Sequence, residues 1–327
     1  MNKSVFRPTL AVLLFALSFS AEAQPENIHW IGFLTGSGSS PNQAFVQGLR
    51  EFGYVEGKNV GFVYRSAEST REHYADLAAD LVRLKVDAIV ADNFGAALAA
   101  KNATTTIPIV MTSMTDPVGT GLVTSLARPG GNITGLTNLT GELGGKFLEL
   151  LKEIVPKLNR AAILINEGSA DKGAVNDIFL KESGVPARAL GVELIPMTVG
   201  RSDDFEGAFR TMTKERTNGL INRLPASVYS ACFNRIAELT IKYRLPSIHS
   251  APTWADAGGL ISYGQDPNVS YRRAATYVDK ILKGSKPSDL PIEAPTKFEL
   301  VINLKTAKQI GLTIPPNVLA RADRVIK

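Results

Sequence analysis

The stretch IHWIGFLTGSGSSPNQAFVQGLREF, residues 28–52, decides the fold class of this chain. Its first part, 28–34, is a short apolar run followed by the loop residues TGSG. Its second part places Phe45, Leu49 and Phe52 at helical spacing. A short apolar run, a glycine-rich loop and an amphipathic segment are typical of a strand, a loop and a helix in that order.

The same order of strand, loop and helix recurs along the chain of 327 residues. In the first half we predict strands at 60–64, 88–91, 107–112 and 132–136, and helices at 71–84, 95–102, 121–127 and 142–155. In the second half we predict strands at 161–165, 192–197, 219–221, 246–249, 259–263 and 298–302, and helices near 174–183, 204–216, 230–243, 270–282 and 305–310. Strands that are apolar on both faces and alternate with helices indicate parallel sheets covered on both sides. The sequence therefore predicts an α/β protein.

The length suggests two compact domains, since a domain commonly has about 100 to 200 residues. We expect an N-terminal lobe of 24–140 plus about 265–285, and a C-terminal lobe of 141–264 plus about 286–327. Two such lobes joined at a hinge leave a cleft at the carboxyl ends of their strands, where small ligands bind in α/β sheets. The expected architecture is a two-lobed clamp.

Residues 1–23 have the pattern of a secretory signal peptide. Lys3 and Arg7 form a basic start, 11–19 is apolar, and the small residues Ala21 and Ala23 mark a cleavage site before Gln24. The apolar core is much shorter than the roughly 20 residues of a transmembrane helix. Because Cys232 is the only cysteine, no cysteine at the cleavage site can accept lipid. We expect a soluble protein that is released into a bacterial periplasm.

Several other classes of protein are disfavoured by the sequence. The formal net charge is +5, and the basic residues are interspersed rather than clustered as a nucleic-acid footprint requires. The histidines His29, His73 and His249 lie far apart and have no zinc-site spacing. The GSGSS segment lacks the Gly-x-Ser-x-Gly elbow of hydrolases, and Pro41 stands where a dinucleotide fingerprint needs glycine. We therefore expect no enzyme activity, metal, cofactor or nucleic-acid partner.

Several longer runs in one order resemble the ABC transporter substrate-binding proteins, in a largely uncharacterised subgroup that includes tryptophan- and tyrosine-binding members. The runs are GLREFGYVEG (48–57), LAADLVRLKVDAIV (77–90), DPVG (116–119), SLARPGGNITG (125–135), ATYVDKILKG (275–284), KFELVINLKTA (297–307) and GLTIPP (311–316). The resemblance implies a type I periplasmic binding fold with three crossovers between lobes, and delivery of a ligand to an ABC permease in the inner membrane. We expect a monomer.

Candidate ligand-binding residues are those that follow predicted strands and so lie at the cleft. They are Thr35, Gly36, Ser37, Asn93, Phe94, Ser113, Thr115 and Asp116 in the N-terminal lobe, and Asn166, Glu167, Asn222, Arg223, Ser250 and Trp254 in the C-terminal lobe. Helix amides near Ser37 could hold a carboxylate, or the loop could be plain. Asp116 either meets a ligand ammonium or belongs to a turn, and Trp254 is either a cleft wall or a core residue.

Two of these residues bear most on the ligand. Arg223 follows a short apolar strand, where a guanidinium can bind a carboxylate through two hydrogen bonds; the alternative is a surface ion pair. Phe94 stands where the family often has small residues, and it either stacks on an aromatic ligand or fills the volume of a larger one. Specificity for aromatic amino acids therefore does not transfer directly to this chain.

The function that these observations favour is that of a periplasmic solute-binding protein. The ligand would be an amino acid or another small carboxylate, delivered to an ABC permease. A ligand-sensing protein that serves a membrane receptor would leave the same marks in the sequence, and a periplasmic hydrolase is disfavoured by the missing motifs.

The export hypothesis predicts the N-terminus of the mature protein. Mass spectrometry of the periplasmic fraction should find a soluble chain that begins at Gln24, because residues 1–23 carry the cleavage pattern. A chain that keeps residues 1–23 and fractionates with membranes would contradict this prediction.

Overall fold

The structure, a computed structural model, describes residues 28–36, 42–67, 73–138, 143–166, 174–200, 203–225 and 229–327. The strands are β1 (His29–Thr35), β2 (Val60–Ser66), β3 (Ala88–Ala91), β4 (Ile109–Thr115), β5 (Ile133–Asn138), β6 (Arg160–Asn166), β7 (Glu193–Val199), β8 (Gly219–Asn222), β9 (Ser247–His249), β10 (Ile261–Gly264), β11 (Glu299–Asn303) and β12 (Arg324–Ile326). The helices are α1 (Gln43–Glu51), α2 (His73–Arg83), α3 (Phe94–Ala103), α4 (Leu143–Ile154), α5 (Ala174–Ala189), α6 (Asp204–Lys214), α7 (Phe233–Lys242), α8 (Thr253–Asp256), α9 (Pro267–Leu282), α10 (Leu304–Gln309) and α11 (Pro316–Leu319). The predicted signal peptide lies outside the described residues.

The strands form two sheets, which confirms the predicted α/β class. The first sheet has five parallel strands in the order β2-β1-β3-β4-β5. The second has seven strands in the order β12-β11-β10-β9-β8-β6-β7, and β11 runs antiparallel to β10. Both sheets thus contain five neighbouring parallel strands in the arrangement 2-1-3-4-5 when each sheet is numbered from its own first strand.

Side-chain alternation in β1 and β3 explains why helices cover both faces of the first sheet. Phe33 and Val90 are register partners, and both pack with the helices α1 and α9. Leu34 and Ala91, one residue further along each strand, pack on the opposite face with α2 and α3. Strands with apolar side chains on both faces must be covered on both sides to keep that surface from water.

The first two connections between the sheets leave from the carboxyl ends of strands. The chain passes from the end of β5 to α4, and from the end of β10 to α9. In the first sheet, α9 begins near the same edge, because it packs on β4 and Tyr271 in its second turn lies close to Thr112. Both connections therefore join the carboxyl edge of one sheet to the carboxyl edge of the other.

The third connection lies at the same edges. Glu293 pairs with Leu136 of β5, and its backbone N–H donates to the Gly135 carbonyl at 3.1 Å. The chain then enters β11 at Glu299, which is the register partner of Gly264 at the carboxyl end of β10. Since all three connections join the two carboxyl edges, these edges face each other across a cleft.

Residues 290–293 pack on the first sheet, beyond the crossing expected near 286. The Leu290 carbonyl accepts a hydrogen bond from Thr134 Oγ1 at 2.7 Å, and Ile292 N–H donates to the Leu126 carbonyl at 2.8 Å. Arg273 of α9 binds both carboxylate oxygens of Glu293, at 2.7 and 2.6 Å. This ion pair holds the third connection between the sheets against α9.

The helix predicted at 121–127 is wrong. Gly121 has a φ of +72° and Gly130 a φ of +73°, a left-handed backbone that a helix cannot contain. Val123 N–H donates to the Pro117 carbonyl at 3.0 Å, and Thr124 Oγ1 donates to the Pro129 carbonyl at 3.0 Å. These contacts close a compact loop between β4 and β5.

Within the described part of the chain, no helix is both long enough and apolar enough to cross a membrane.

Candidate ligand-binding site

The first wall of the candidate site lies between the carboxyl ends of β1 and β3. These strands are neighbours, but the helices that follow them, α1 and α3, pack on opposite faces of the sheet. Such a reversal opens a crevice at the strand ends, where α/β sheets commonly bind ligands. Thr35 and Gly36 line this crevice from β1, and Asp92 lies there directly after β3.

The second wall is the equivalent point of the second sheet. There β6 and β8 are neighbours and β7 lies on the outer side of β6, as β2 lies on the outer side of β1. Asn166 is the last residue of β6, and Arg223 directly follows β8. Asp92 and Arg223 therefore occupy equivalent topological positions, one in each sheet.

Arg223 is half-buried, and no acidic side chain in the described part of the chain pairs with it. Its Nε is buried and has no hydrogen-bond partner, and none of the ion pairs between described residues includes it. The guanidinium carbon lies 4.5 Å from the centre of the Phe179 ring of α5. Burial lowers the pKa of Arg223 to about 10, so the group remains a cation at neutral pH.

The loop that carries Arg223 is fixed on both sides. Asn222 Oδ1 accepts from Leu224 N–H at 3.1 Å, and His249 Nε2 lies 2.9 Å from the Leu224 carbonyl. His249 Nδ1 accepts from Ala251 N–H at 2.7 Å, so its proton is on Nε2, which donates to Leu224. Burial lowers the pKa of His249 to about 4, and the neutral ring therefore holds this loop at physiological pH.

Asp92 is an acid that forms no ion pair with a basic residue in the described part of the chain. Its Oδ1 accepts from Gly36 N–H at 3.2 Å and from Asn93 Nδ2 at 2.7 Å. Burial raises the pKa of Asp92 to about 7, and these hydrogen bonds only partly oppose that effect. The carboxyl group is thus poised to gain or lose a proton near neutral pH.

Hydroxyl groups surround this carboxyl group. The Tyr64 hydroxyl and Thr35 Oγ1 are buried and have no hydrogen-bond partner among the residues that the structure describes. Tyr74 of α2 accepts a hydrogen bond from Asn93 Nδ2 at 2.8 Å. Burial, and the charge of Asp92, raise the pKa of Tyr64, Tyr74 and Tyr271 above the usual value, so all three remain neutral.

Four other predicted residues of the first wall make structural contacts. Asn93 caps α3, since its Oδ1 accepts from Ala96 N–H at 3.0 Å. Phe94 begins α3 and packs against the core of the first sheet. Ser113 and Thr115 are both hydrogen-bonded to Asn138, at 3.1 and 3.0 Å, which joins the ends of β4 and β5. These four residues shape the edge rather than present free polar groups.

For two further predicted residues the structure shows the structural alternative. Asp116 belongs to a turn: its Oδ1 accepts from Gly119 N–H at 2.8 Å, and its carbonyl accepts from Thr120 N–H at 3.0 Å. Trp254 is a core residue, with 0% exposure and its ring packed edge-on against Phe233 at 5.5 Å. A fully buried indole has no surface left for a ligand.

The other predicted residues have simpler positions. Asn166 is half-buried at the end of β6, and Asn222 is buried with its Nδ2 unpartnered in the described structure. The backbone carbonyl of Ser250 lies close to Gly264. A Cβ atom added to Gly264 would come within 1.8 Å of the Ser250 carbonyl oxygen. Ser37 and Glu167 lie outside the described residues.

Asp92 was missed as a candidate by the sequence reasoning. Its signal is an acid placed directly after β3, whose four residues are all buried, at the point where the sheet order reverses. Tyr64 and Tyr271 were also missed, because their contribution depends on β2 and α9 meeting at the same edge.

Comparisons with known proteins identify the relatives of the chain. Residues 37–326 match the family described as ABC transporter substrate binding protein. A tyrosine-binding protein of Clostridioides difficile is 26% identical over 280 residues, which cover 83% of this chain and 76% of that protein. A crystal structure from Vibrio cholerae, described as a conserved domain protein, has a TM-score of 0.82 at 29% identity and covers 92% of this chain and 99% of its own.

A second solved structure carries a ligand. The ABC domain from Streptococcus pneumoniae in complex with L-Trp has a TM-score of 0.82 at 26% identity, and the match covers 92% of this chain and all of that one (100%).

The raised pKa of Asp92 predicts how stability depends on pH. An unfolded aspartate ionises near pH 4, whereas the folded protein retains the proton up to about pH 7. Stability due to this group is therefore lost as the pH rises between these values. Asp92→Asn should raise stability by about 1 to 3 kcal/mol, or a few degrees in Tm, at about pH 8. The gain should shrink towards about pH 5.

Thermal unfolding of the wild type and the variant at both pH values measures this difference. The titratable groups that face Asp92 are Tyr64 from β2, Tyr74 from α2 and Tyr271 from α9, and these remain neutral over the range. A variant that is less stable than the wild type at about pH 8, or a difference that does not depend on pH, would contradict the prediction.

Proposed function

We propose, since the chain belongs to the family of ABC transporter substrate-binding proteins, that it captures an amino acid or similar small carboxylate in the cleft between its lobes and delivers it to an ABC permease. The protein alternates between open and closed lobes, and the ligand favours closure by contacting both. No chemical step is needed for this function.

The observation that carries the proposal is the unpaired guanidinium of Arg223. A buried cation without a counterion is costly, and a carboxylate that binds both sides of the guanidinium fork offsets that cost. Arg223 lies at the strand end that faces the cleft, on a loop fixed by Asn222 and His249. A ligand carboxylate is therefore the expected counterion.

The relatives support an amino acid as the ligand. One is a tyrosine-binding protein and another was solved with L-Trp, and both ligands carry a carboxylate. In this chain Phe94 packs against the core of the first sheet, which supports a cleft that still has room for a ligand side chain.

The remaining parts of the proposal concern location and organisation. We propose that residues 1–23 are a cleaved signal peptide and that the mature protein acts in the periplasm as a monomer. The N-terminal lobe comprises residues 24–140 and a second segment from about 265, whose end we move from about 285 to Glu293. The packing of 290–293 on β5 supports this end point.

A ligand screen and an arginine variant test the proposal. Thermal shift with amino acids, aromatic acids and other small carboxylates should identify a ligand, because a ligand at about 100 times its Kd adds roughly 2.7 kcal/mol of stability. Calorimetry should then show that Arg223→Ala loses about 2 to 5 kcal/mol of binding, or about 30-fold to several thousand-fold in affinity. Arg223→Lys, which retains the charge but not the fork, should lose less.

The matched control is Arg160→Ala. Arg160 begins β6 at the opposite edge of the same sheet and pairs with Glu193 at 3.1 Å and Glu215 at 3.3 Å, so its loss should leave affinity unchanged. If Arg223→Ala keeps its affinity within about threefold and retains the wild-type circular dichroism spectrum, Arg223 does not anchor the ligand. If no carboxylate stabilises the wild type, the proposed ligand class is wrong.

A further inference from the structure

Two unpaired charges of opposite sign stand at equivalent positions of the two sheets. Arg223 follows β8 in the second sheet, and Asp92 follows β3 in the first. Neither takes part in an ion pair between described residues, and they do not pair with each other. A ligand that carried both charges would neutralise both walls at once.

The strand register shows which side chains share the wall with Asp92. Leu34 is the register partner of Ala91, so the next residues, Thr35 and Asp92, lie side by side on the other face of the sheet. That face is the one on which Phe33 packs, and the Tyr64 ring stacks on Phe33 at a centroid distance of 4.7 Å. The carboxyl group and the two hydroxyls therefore belong to one surface.

Neither hydroxyl group has a hydrogen-bond partner among the residues that the structure describes. Thr35 is 6% exposed, yet its Oγ1 makes no hydrogen bond to a described residue, and the same holds for the buried Tyr64 hydroxyl. Buried hydroxyls are normally hydrogen-bonded, because leaving one unsatisfied costs free energy. Both oxygens can accept a hydrogen bond as well as donate one.

We infer that Asp92, with the hydroxyls of Thr35 and Tyr64, forms a subsite for the primary ammonium group of the ligand. This inference rests on the proposed function, in which Arg223 binds the carboxylate of the same molecule. An ammonium group has three donors and no acceptor, which matches one carboxylate and two hydroxyl oxygens. The ligand class is thus an α-amino acid or a similar zwitterion, rather than a simple carboxylic acid.

A purely structural role for Asp92 leads to a different expectation. Asp92 precedes α3, and a negative charge near a helix N-terminus stabilises the helix. That role would make Asp92→Asn change stability without changing the preference between ligands. The binding role changes the preference itself, so paired ligands separate the two.

The experiment is calorimetry on the full mature chain with three pairs of ligands. Each pair is an amino acid and its deamino analogue: L-tryptophan and indole-3-propionate, L-phenylalanine and 3-phenylpropionate, and L-leucine and 4-methylpentanoate. At about pH 8 the wild type should bind the amino acid of at least one pair about 30-fold or more tightly than its analogue. Asp92→Asn should remove most of this preference without weakening the binding of the analogue.

Two further variants keep the test decisive. Tyr64→Phe removes one hydroxyl and retains the ring. It should therefore lower the affinity for the amino acid by about 3- to 10-fold and leave the affinity for the deamino analogue unchanged. Asp87→Asn is the matched control, because Asp87 precedes the same strand at its other end and accepts a hydrogen bond from Trp30 N–H at 2.6 Å. It should retain the wild-type preference.

The pH dependence gives an independent readout. Amino-acid affinity of the wild type should rise from about pH 5.5 to about pH 8 as Asp92 loses its proton, and Asp92→Asn should lack this rise. The groups that face Asp92 from β2, α2 and α9 are Tyr64, Tyr74 and Tyr271, which do not titrate in this range.

The possible failures are distinguishable. If the wild type binds an analogue as tightly as its amino acid, or if Asp92→Asn weakens both members equally, the ammonium subsite is overturned while carboxylate binding stands. If the wild type binds neither member of any pair, the proposed function itself fails, and the subsite fails with it.

Discussion

The desolvation of the Arg223 guanidinium is the constraint on which the site depends. A cation moved out of water loses several kcal/mol of hydration unless an anion or an aromatic face replaces part of it. The ring of Phe179 supplies a partial replacement at 4.5 Å, and no described acid supplies the rest. The folded protein therefore holds a site whose free energy falls when an anion arrives.

Such a site is possible only because the surrounding structure fixes it. The loop after β8 is held by the neutral His249 and by Asn222, and the sheet beneath it is buried on both faces. Without these contacts, the arginine side chain would reach water and its charge would be screened. The rigid loop thus keeps the Arg223 guanidinium in one position, where it favours an anion that fits that position.

The sheet order accounts for the position of the charges. In the first sheet β3 lies next to β1, and in the second sheet β8 lies next to β6. The helices that follow the two strands of each pair pack on opposite faces of the sheet. All three connections between the sheets join carboxyl edges, so the two crevices open towards one cleft. Under the proposed function, a ligand with an anionic and a cationic group would contact both lobes, and neutralising the two charges together would favour closure.

The sequence was sufficient for the class of the fold and for most strands, because buried parallel strands are short apolar runs. It was insufficient where long-range packing decides the outcome. The segment 121–127 is apolar enough for a helix, yet hydrogen bonds to Pro117 and Pro129 close it into a loop. Trp254 looked available in a loop, but α8 inserts it into the core of the second sheet.

In the candidate site, too, some features could be predicted from the sequence and others depend on long-range packing. Arg223 was predictable as an anion site because it follows a predicted strand, and it remains a prediction that binding must test. Asp92 follows a strand in the same way, but its importance depends on the absence of a nearby cation and on the register with Thr35. Neither property can be obtained from spacing along the chain.

Small-angle X-ray scattering with and without ligand tests the central claim most directly. If the ligand bridges the two lobes, the mature protein saturated with the tightest amino acid from the calorimetry should have a smaller radius of gyration than the free protein. A radius that stays the same at saturation would show that the ligand binds without closing the lobes, which contradicts this account of the cleft.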